Sequence, residues 1–255
     1  MAKLPKQYQF VDISDYGRFV ARWIANSLKT TCFTPIHITS LFIISGFAAI
    51  CCILYGYYVL AAIFLILKSI LDAADGELAR MKNTPSYIGR YYDSIADIIL
   101  NFLFLLAFWY ITNSAIIYML LAFVGIQLQG TLYNYYYVIL RNKVNGDTTS
   151  RVFEYSTPKA FKGESQQYVN IFHKTYNLLY YVFDRAIYLL DTKAMDGNLF
   201  PKWFMTLLSA FGLGFQLFIM AIMLILQLEE FVIPFFIAYS VLILVFIGIR
   251  RFYLK

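Results

Sequence analysis

Residues 72–97 read DAADGELARMKNTPSYIGRYYDSIAD, a polar stretch set in a very apolar chain. It carries Asp72, Asp75, Gly76, Ala79 and Arg80, then eight residues, then Gly89, Asp93 and Asp97. An aspartate at the centre of a membrane helix costs about 2.5–3.5 kcal/mol on insertion scales, so four together need a reason. At 3.6 residues per turn, positions 72, 75 and 76 share one helical face, with 79 about a turn further on; 89, 93 and 97 share another. Pro85 lies between the two runs and predicts a break there. An antiparallel helical hairpin then brings all four carboxylates to a similar depth.

Gathered carboxylates repel one another unless cations neutralise them. Oxygen-only donors point to hard divalent ions such as Mg²⁺, Mn²⁺ or Ca²⁺ rather than zinc. Asp72, Asp75, Asp93 and Asp97 suit a pair of ions about 3.5–4 Å apart, which clamps both oxygens of a phosphoryl displacement. Lys68 lies four residues before Asp72 and is expected either to pair with it or to reach a phosphate. Structural ion pairs alone explain the stretch poorly, since Lys68, Arg80 and Arg90 do not account for four carboxylates and two glycines. Glu77 reads as a solvated or supporting charge, and His37 and His173 have no partner at metal-ligand spacing.

The surrounding composition is that of a membrane protein: 60% apolar, 19% aromatic and only 14% charged over 255 residues. The length suits one helical bundle. Cys32, Cys51 and Cys52 show neither metal spacing nor a disulfide framework. No secretory signal is expected, because the first thirty residues lack an unbroken apolar core and a small-residue cleavage site.

Residues 12–29 pattern as an amphipathic helix suited to a membrane interface, within an N-terminal segment, 1–35. Ile13, Tyr16, Phe19, Val20, Trp23 and Ile24 make one face, opposite Asp15, Arg18, Arg22, Asn26 and Lys29. Six apolar runs follow in a transmembrane domain, 36–255: 36–55, 57–80, 89–111, 114–140, 203–226 and 231–249. Each is near the roughly 20 residues needed to span a bilayer. Connections near Gly56, Asn113 and Glu229 carry no lysine or arginine, whereas the other ends are rich in both. The positive-inside rule then puts both termini and the aspartate hairpin in the cytoplasm, and accounts for the net charge of +6 without nucleic acid. Between the fourth and fifth runs lies an insertion, 141–202: a polar loop, then a helix over 168–191. Its apolar stripe is Tyr168, Phe172, Tyr176, Leu179, Phe183, Ile187 and Leu190, with Asn177 and Asp184 among the residues largely off it. Ala210 and Gly214 form a small-residue pair expected to pack on another helix.

The hairpin spacing resembles the signature of the CDP-alcohol phosphotransferase (CDP-alcohol phosphatidyltransferase) family, D-x2-D-G-x2-A-R-x8-G-x3-D-x3-D, at every specified position. Thr34-Pro35-Ile36-His37-Ile38-Thr39 is similar to the T-P-N-x-x-T of many members, with Ile36 in place of asparagine. The resemblance implies six spans, a homodimer, and transfer of a substituted phosphate from a CDP-linked donor to an alcohol with release of CMP. It implies that Asp97 takes the proton of the attacking hydroxyl, alongside its place in the metal set. It also implies that Gly76, Ala79, Arg80 and Gly89 receive the CDP moiety. The donor is read as CDP-diacylglycerol and the acceptor as a polar alcohol such as inositol, inositol phosphate, glycerol phosphate or serine. The alternative is a CDP-linked headgroup transferred to diacylglycerol or ceramide. An acceptor phosphate would call on Lys68 or Arg141, or on Lys143, Arg151 and Lys202. Membrane aspartates also serve cation transporters, which place them near the midplane; here they cluster at one membrane edge.

Overall fold

The computed structural model describes residues 4–146, 153–154 and 156–254, and every regular element among them is helical. After a single turn at Ile13–Asp15, the helices are α1 (Arg18–Leu28), α2 (Pro35–Leu54), α3 (Tyr58–Lys82), α4 (Tyr87–Thr112) and α5 (Ile116–Lys143). Then come α6 (Gln166–Leu190), α7 (Lys202–Leu208), α8 (Leu213–Ile225), α9 (Glu229–Tyr239) and α10 (Leu242–Tyr253). By length and apolarity, α2, α4, α5 and the run Glu229–Tyr253 are long enough to cross a membrane. The run from α7 into α8 makes a fifth if its bend is counted within one span. Helix α3 is 25 residues long, but its charges keep it outside that set.

Local chemistry sets the helix ends. Thr34 caps α2, its hydroxyl accepting from the His37 backbone N–H at 3.4 Å, while His37 Nδ1 accepts from the Thr34 N–H at 3.1 Å. His37 therefore fills the capping-box position usually held by Glu or Gln. Helix α3 stops at Asn83, which turns left-handed (φ 50°), a conformation asparagine tolerates. Pro85 follows, and Ser86 caps α4 by accepting from the Gly89 N–H at 2.7 Å. The hairpin expected from the sequence is formed by these breakers and caps.

The largest apolar core joins α2, α3, α4, α5, α8 and α9 around Phe42, Leu65, Phe104 and Phe108. A second core gathers Tyr136, Phe204, Leu208 and Phe211 between α5, α7 and α10. Helix α1 is shorter than the 12–29 expected. It packs on α3 through Gly17, Ala21 and Ala25, where a Cβ on Gly17 would lie 2.7 Å from Ile70. Close approach there requires small residues, so Phe19 and Trp23 are left pointing outward, 85% and 68% exposed.

Two expectations are revised. The span read over 203–226 breaks at Gly212, where α7 and α8 meet at 53°. The turn at Ser14 wedges into the break: a Cβ on Gly214 would lie 2.0 Å from the Ser14 carbonyl oxygen. Gly214 thus accommodates the N-terminal turn and also lies against another helix, as expected, since its Cβ would come 2.9 Å from the Ser69 hydroxyl of α3. The second revision is the extent of the α6 stripe: Phe172, Tyr176, Leu179, Phe183 and Ile187 are buried or half-buried as expected, but its two ends are not. Tyr168 and Leu190 are exposed, whereas His173 and Ile187 are buried and Tyr176, Tyr180 and Asp184 turn inward. Apolar Leu178, Val182 and Leu189 lie on the outside.

Candidate active site

Helices α3 and α4 deliver their aspartates to one cavity of about 420 Å³, lined also by α5, α6, the start of α8 and the N-terminal turn. One oxygen from each of Asp72, Asp75 and Asp93 lies within 4.8 Å of the others. Asp75 is 8% exposed, and its Oδ2 accepts a 2.6 Å hydrogen bond from the Thr39 hydroxyl of α2. The Oδ1 of Asp93 is buried and has no hydrogen-bond partner among the described residues. A buried, unpartnered carboxylate oxygen is costly unless something positive faces it. Three convergent carboxylates with one oxygen still unsatisfied fit a hard divalent ion.

Asp97 stands slightly apart from that trio. The Lys68 ammonium, fully buried, contacts Asp97 Oδ1 and lies 3.4 Å from Asp72 Oδ2. It also sits 4.5 Å over the Phe42 ring. Of the two roles expected for Lys68, the structure shows ion pairing. Lysine is costly to bury without an anion, so it is held here by the carboxylates and holds Asp97 in turn.

The remaining predicted residues divide. Gly76 lines the cavity, and a Cβ there would meet only the Arg80 guanidinium, at 3.4 Å. Its bare backbone is therefore approachable. Arg80 also lines the cavity and pairs with Glu77 at 3.2 Å, while Glu77 lies 3.6 Å from Arg22. Glu77 is 9% exposed, so it orients two arginines and is not a solvated charge. Ala79 and Gly89 are not on the cavity wall. Gly89 sits against the Ser86 cap, where a Cβ would come 3.1 Å from Ser86 Oγ. Arg141 is buried with its guanidinium 4.9 Å from the Tyr137 ring and is likewise off the wall.

Other wall residues carry no signal in the hairpin motif. Thr39, quoted within the Thr34–Thr39 stretch, proves to be a direct partner of Asp75. Glu154 pairs with Arg90 at 2.9 Å and accepts from the Tyr91 hydroxyl at 3.0 Å. Tyr176 and Tyr180 stack with centroids 4.8 Å apart, and the Tyr180 hydroxyl donates to the Ser94 carbonyl at 2.7 Å. Period and spacing pointed to neither tyrosine as a wall residue; their inward position follows from how α6 crosses α4.

The helices thus bring a carboxylate group that could hold a metal ion, a lysine-held aspartate and an approachable glycine backbone to one cavity. Residues 32–157 match the family model CDP-alcohol phosphatidyltransferase, and the chain carries that family's domain over this stretch. The family's reaction moves a phosphate-linked group from a CDP-alcohol in lipid synthesis. No curated protein and no solved structure matches the chain.

Proposed function

We propose that the protein transfers the phosphatidyl group of CDP-diacylglycerol to the hydroxyl of a polar alcohol, releasing CMP. The observation that carries this reading is the pairing, in one cavity, of the Asp72–Asp75–Asp93 group with the separately held Asp97. Asp72, Asp75 and Asp93 would hold Mg²⁺ or Mn²⁺, with the free oxygen of Asp97 facing any second ion. Such an ion supplies charge stabilisation on the diphosphate oxygens and on the leaving CMP.

The chain's own groups do the rest. Gly76 lets the nucleotide approach the α3 backbone, and Arg80 donates to phosphate oxygens from its post on Glu77. Asp97 takes the proton of the acceptor hydroxyl. Lys68 is its positioning residue, fixing the carboxylate by an ion pair from behind. The acceptor oxygen forms a bond to the phosphorus bearing the lipid, and the bond from that phosphorus to the bridging oxygen breaks. CMP leaves with the electron pair.

The same reading takes α3 as a sixth span and places both termini and the cavity mouth on the cytoplasmic side, supported by the distribution of lysine and arginine. It includes a homodimer, by resemblance to the family, and an interfacial role for α1, supported by the outward Phe19 and Trp23.

The test is CMP release by purified protein in mixed micelles with Mg²⁺ or Mn²⁺. CDP-diacylglycerol with polar acceptors is set against CDP-choline with diacylglycerol. CMP formed only from the second pairing would reverse the donor assignment. Failure to bind CDP in the presence of Mn²⁺ would remove the reading altogether.

A further inference from the structure

The cavity wall beyond the hairpin comes from α5, α6 and α8, and α6 lies outside the matched domain. Its charge is lopsided: among the described residues, nine carboxylates and two arginines line the cavity. Both arginines are engaged, Arg80 by Glu77 and Arg90 by Glu154. Even with two divalent ions bound, the balance stays negative before the donor's diphosphate is added. The cations that an acceptor phosphate would need are elsewhere. Arg141 packs over Tyr137, and the Lys143 ammonium bonds the Gly197 carbonyl. Lys202 opens α7 away from the wall, and Arg151 lies outside the described residues.

Opposite the aspartates, the wall offers two groups whose hydrogen-bonding capacity is unspent. The Gln127 amide nitrogen is buried without a partner. Asp184 also lines the cavity, and no hydrogen bond or ion pair reaches it from the described residues. Burial, and after it the neighbouring Glu154, push its carboxyl up to about 7. The stacked Tyr176 and Tyr180 lie within the two helical turns before it and line the same wall. Asp97, Tyr180 and Asp184 line the same cavity, so the proton acceptor and the lone carboxylate open onto one shared space.

Resting on the reading of the site as a CDP-alcohol transferase, we infer that the acceptor is a small amino alcohol without a phosphate. Its ammonium is received by Asp184 beside Tyr176, and its hydroxyl is presented to Asp97. A carboxylate out of water is compensated better by a full positive charge than by a neutral hydroxyl. Tyrosine rings favour a cation, and a cavity of one sign concentrates the opposite one. Of charged wall groups, a phosphorylated acceptor would meet only carboxylates and occupied arginines.

The experiment compares ethanolamine and serine with ethylene glycol, glycerol, myo-inositol, glycerol 3-phosphate and inositol 1-phosphate, each with CDP-diacylglycerol and Mn²⁺. CMP release is the readout, and CDP binding is measured separately by calorimetry. The expected result is kcat/KM for an amino alcohol at least about tenfold above that for ethylene glycol, the neutral counterpart of ethanolamine. Asp184→Asn should raise KM for the amino alcohol by at least about tenfold, leaving kcat and CDP affinity near wild type. Preferred use of a polyol or a phosphorylated acceptor overturns the inference. So does an amino-alcohol preference that survives Asp184→Asn. No turnover of any amino alcohol by protein that binds CDP also overturns it. Absence of CDP binding instead overturns the transferase reading beneath it. The wild-type comparison of ethanolamine with ethylene glycol stands even if the variant fails to fold.

Discussion

Asp191 and Asp97 are both held by basic side chains inside the helical body, yet only one of them faces open space. Asp191 is fully buried at the end of α6. It accepts from the Tyr136 hydroxyl and from Arg250 Nε, both at 2.6 Å, with Arg251 3.7 Å away. Its carbonyl accepts from Tyr135 at 3.0 Å. The result is a clasp joining α5, α6 and α10, and Asp191 is not on the wall of the cavity that holds the aspartate hairpin. In the aspartate hairpin, one lysine serves two carboxylates, one oxygen of Asp93 is left without a hydrogen bond, and a cavity adjoins the group. The Oδ1 of Asp191 makes no hydrogen bond either, but Arg250 pairs with it, whereas Asp93 has no ion pair among the described residues. A structural carboxylate is matched by its own chain's cations; a carboxylate meant for a ligand is left short. The difference yields opposite expectations for the same type of substitution.

The largest effect belongs to the unsaturated group. Asp75→Ala should lower CMP release by at least about 10³-fold, because a ligand to the ion is lost. Thermal stability in detergent, without metal, should stay level or rise, because mutual repulsion is relieved. A marked drop in melting temperature with activity retained would show that the hairpin is a structural cluster like the clasp.

Asp191→Ala should do the reverse. Removing one partner strands Arg250 inside the protein and should cost about 3–5 kcal/mol of stability, read from denaturant or thermal unfolding in detergent. Turnover per folded molecule should persist. Stability unchanged within error would mean that the clasp is not what fastens α10 to α6.

Lys68→Met separates the two kinds of pairing within the site itself. Lys68 lies between Asp97 and Asp72, and its removal leaves all three carboxylates of the trio in place, so binding of the first Mn²⁺, read by electron paramagnetic resonance, should survive. The kcat should fall by about 10²-fold as Asp97 loses its fixed position, with little change in the KM for donor. If Mn²⁺ binding is abolished and kcat of the residual active fraction is normal, Lys68 organises the metal group instead.

The same contrast explains what was legible in the sequence. The hairpin was readable because charge in an apolar helix is expensive, so Asp72, Asp75, Asp93 and Asp97 needed a shared purpose, and their spacing named one face. The break at Pro85 and the four helices α2 to α5 followed within a few residues of expectation, whereas the Ser86 cap emerged only from the structure. The clasp was not readable: Arg250 and Arg251 near a chain end look like ordinary inside-positive charge, and Asp191 looks like the end of a surface helix. Asp184 was missed for a different reason. It lies off the apolar stripe of α6 together with Asn170, Lys174 and Arg185, which are exposed, so it reads as one more solvated charge; instead it lines the cavity with Tyr180. The bend at Gly212 was hidden because its cause, the turn at Ser14, lies almost two hundred residues away in sequence.

Glu164 falls between the two extremes, half-buried and fully bonded at the start of α4, and it gives the smallest effect. Its Oε1 accepts from the Ser86 hydroxyl at 2.7 Å and from the Ile88 N–H at 3.0 Å, while Ser86 Oγ accepts from Gly89 N–H. A negative charge at a helix N-terminus is favourable, and the relay spends the first-turn donors of the helix that carries Asp93 and Asp97. Ser86→Ala should therefore cost about 1 kcal/mol, the usual value of an N-cap, seen as a small drop in melting temperature. Glu164→Gln keeps one acceptor and should cost less. Neither should change Mn²⁺ affinity, because the cap lies two helical turns from the carboxylate trio at its far end. If Ser86→Ala weakens Mn²⁺ binding by more than about threefold, the cap sets the register of Asp93 as well as the start of the helix, and the insertion that supplies Glu164 then belongs to the metal site and not only to its enclosure.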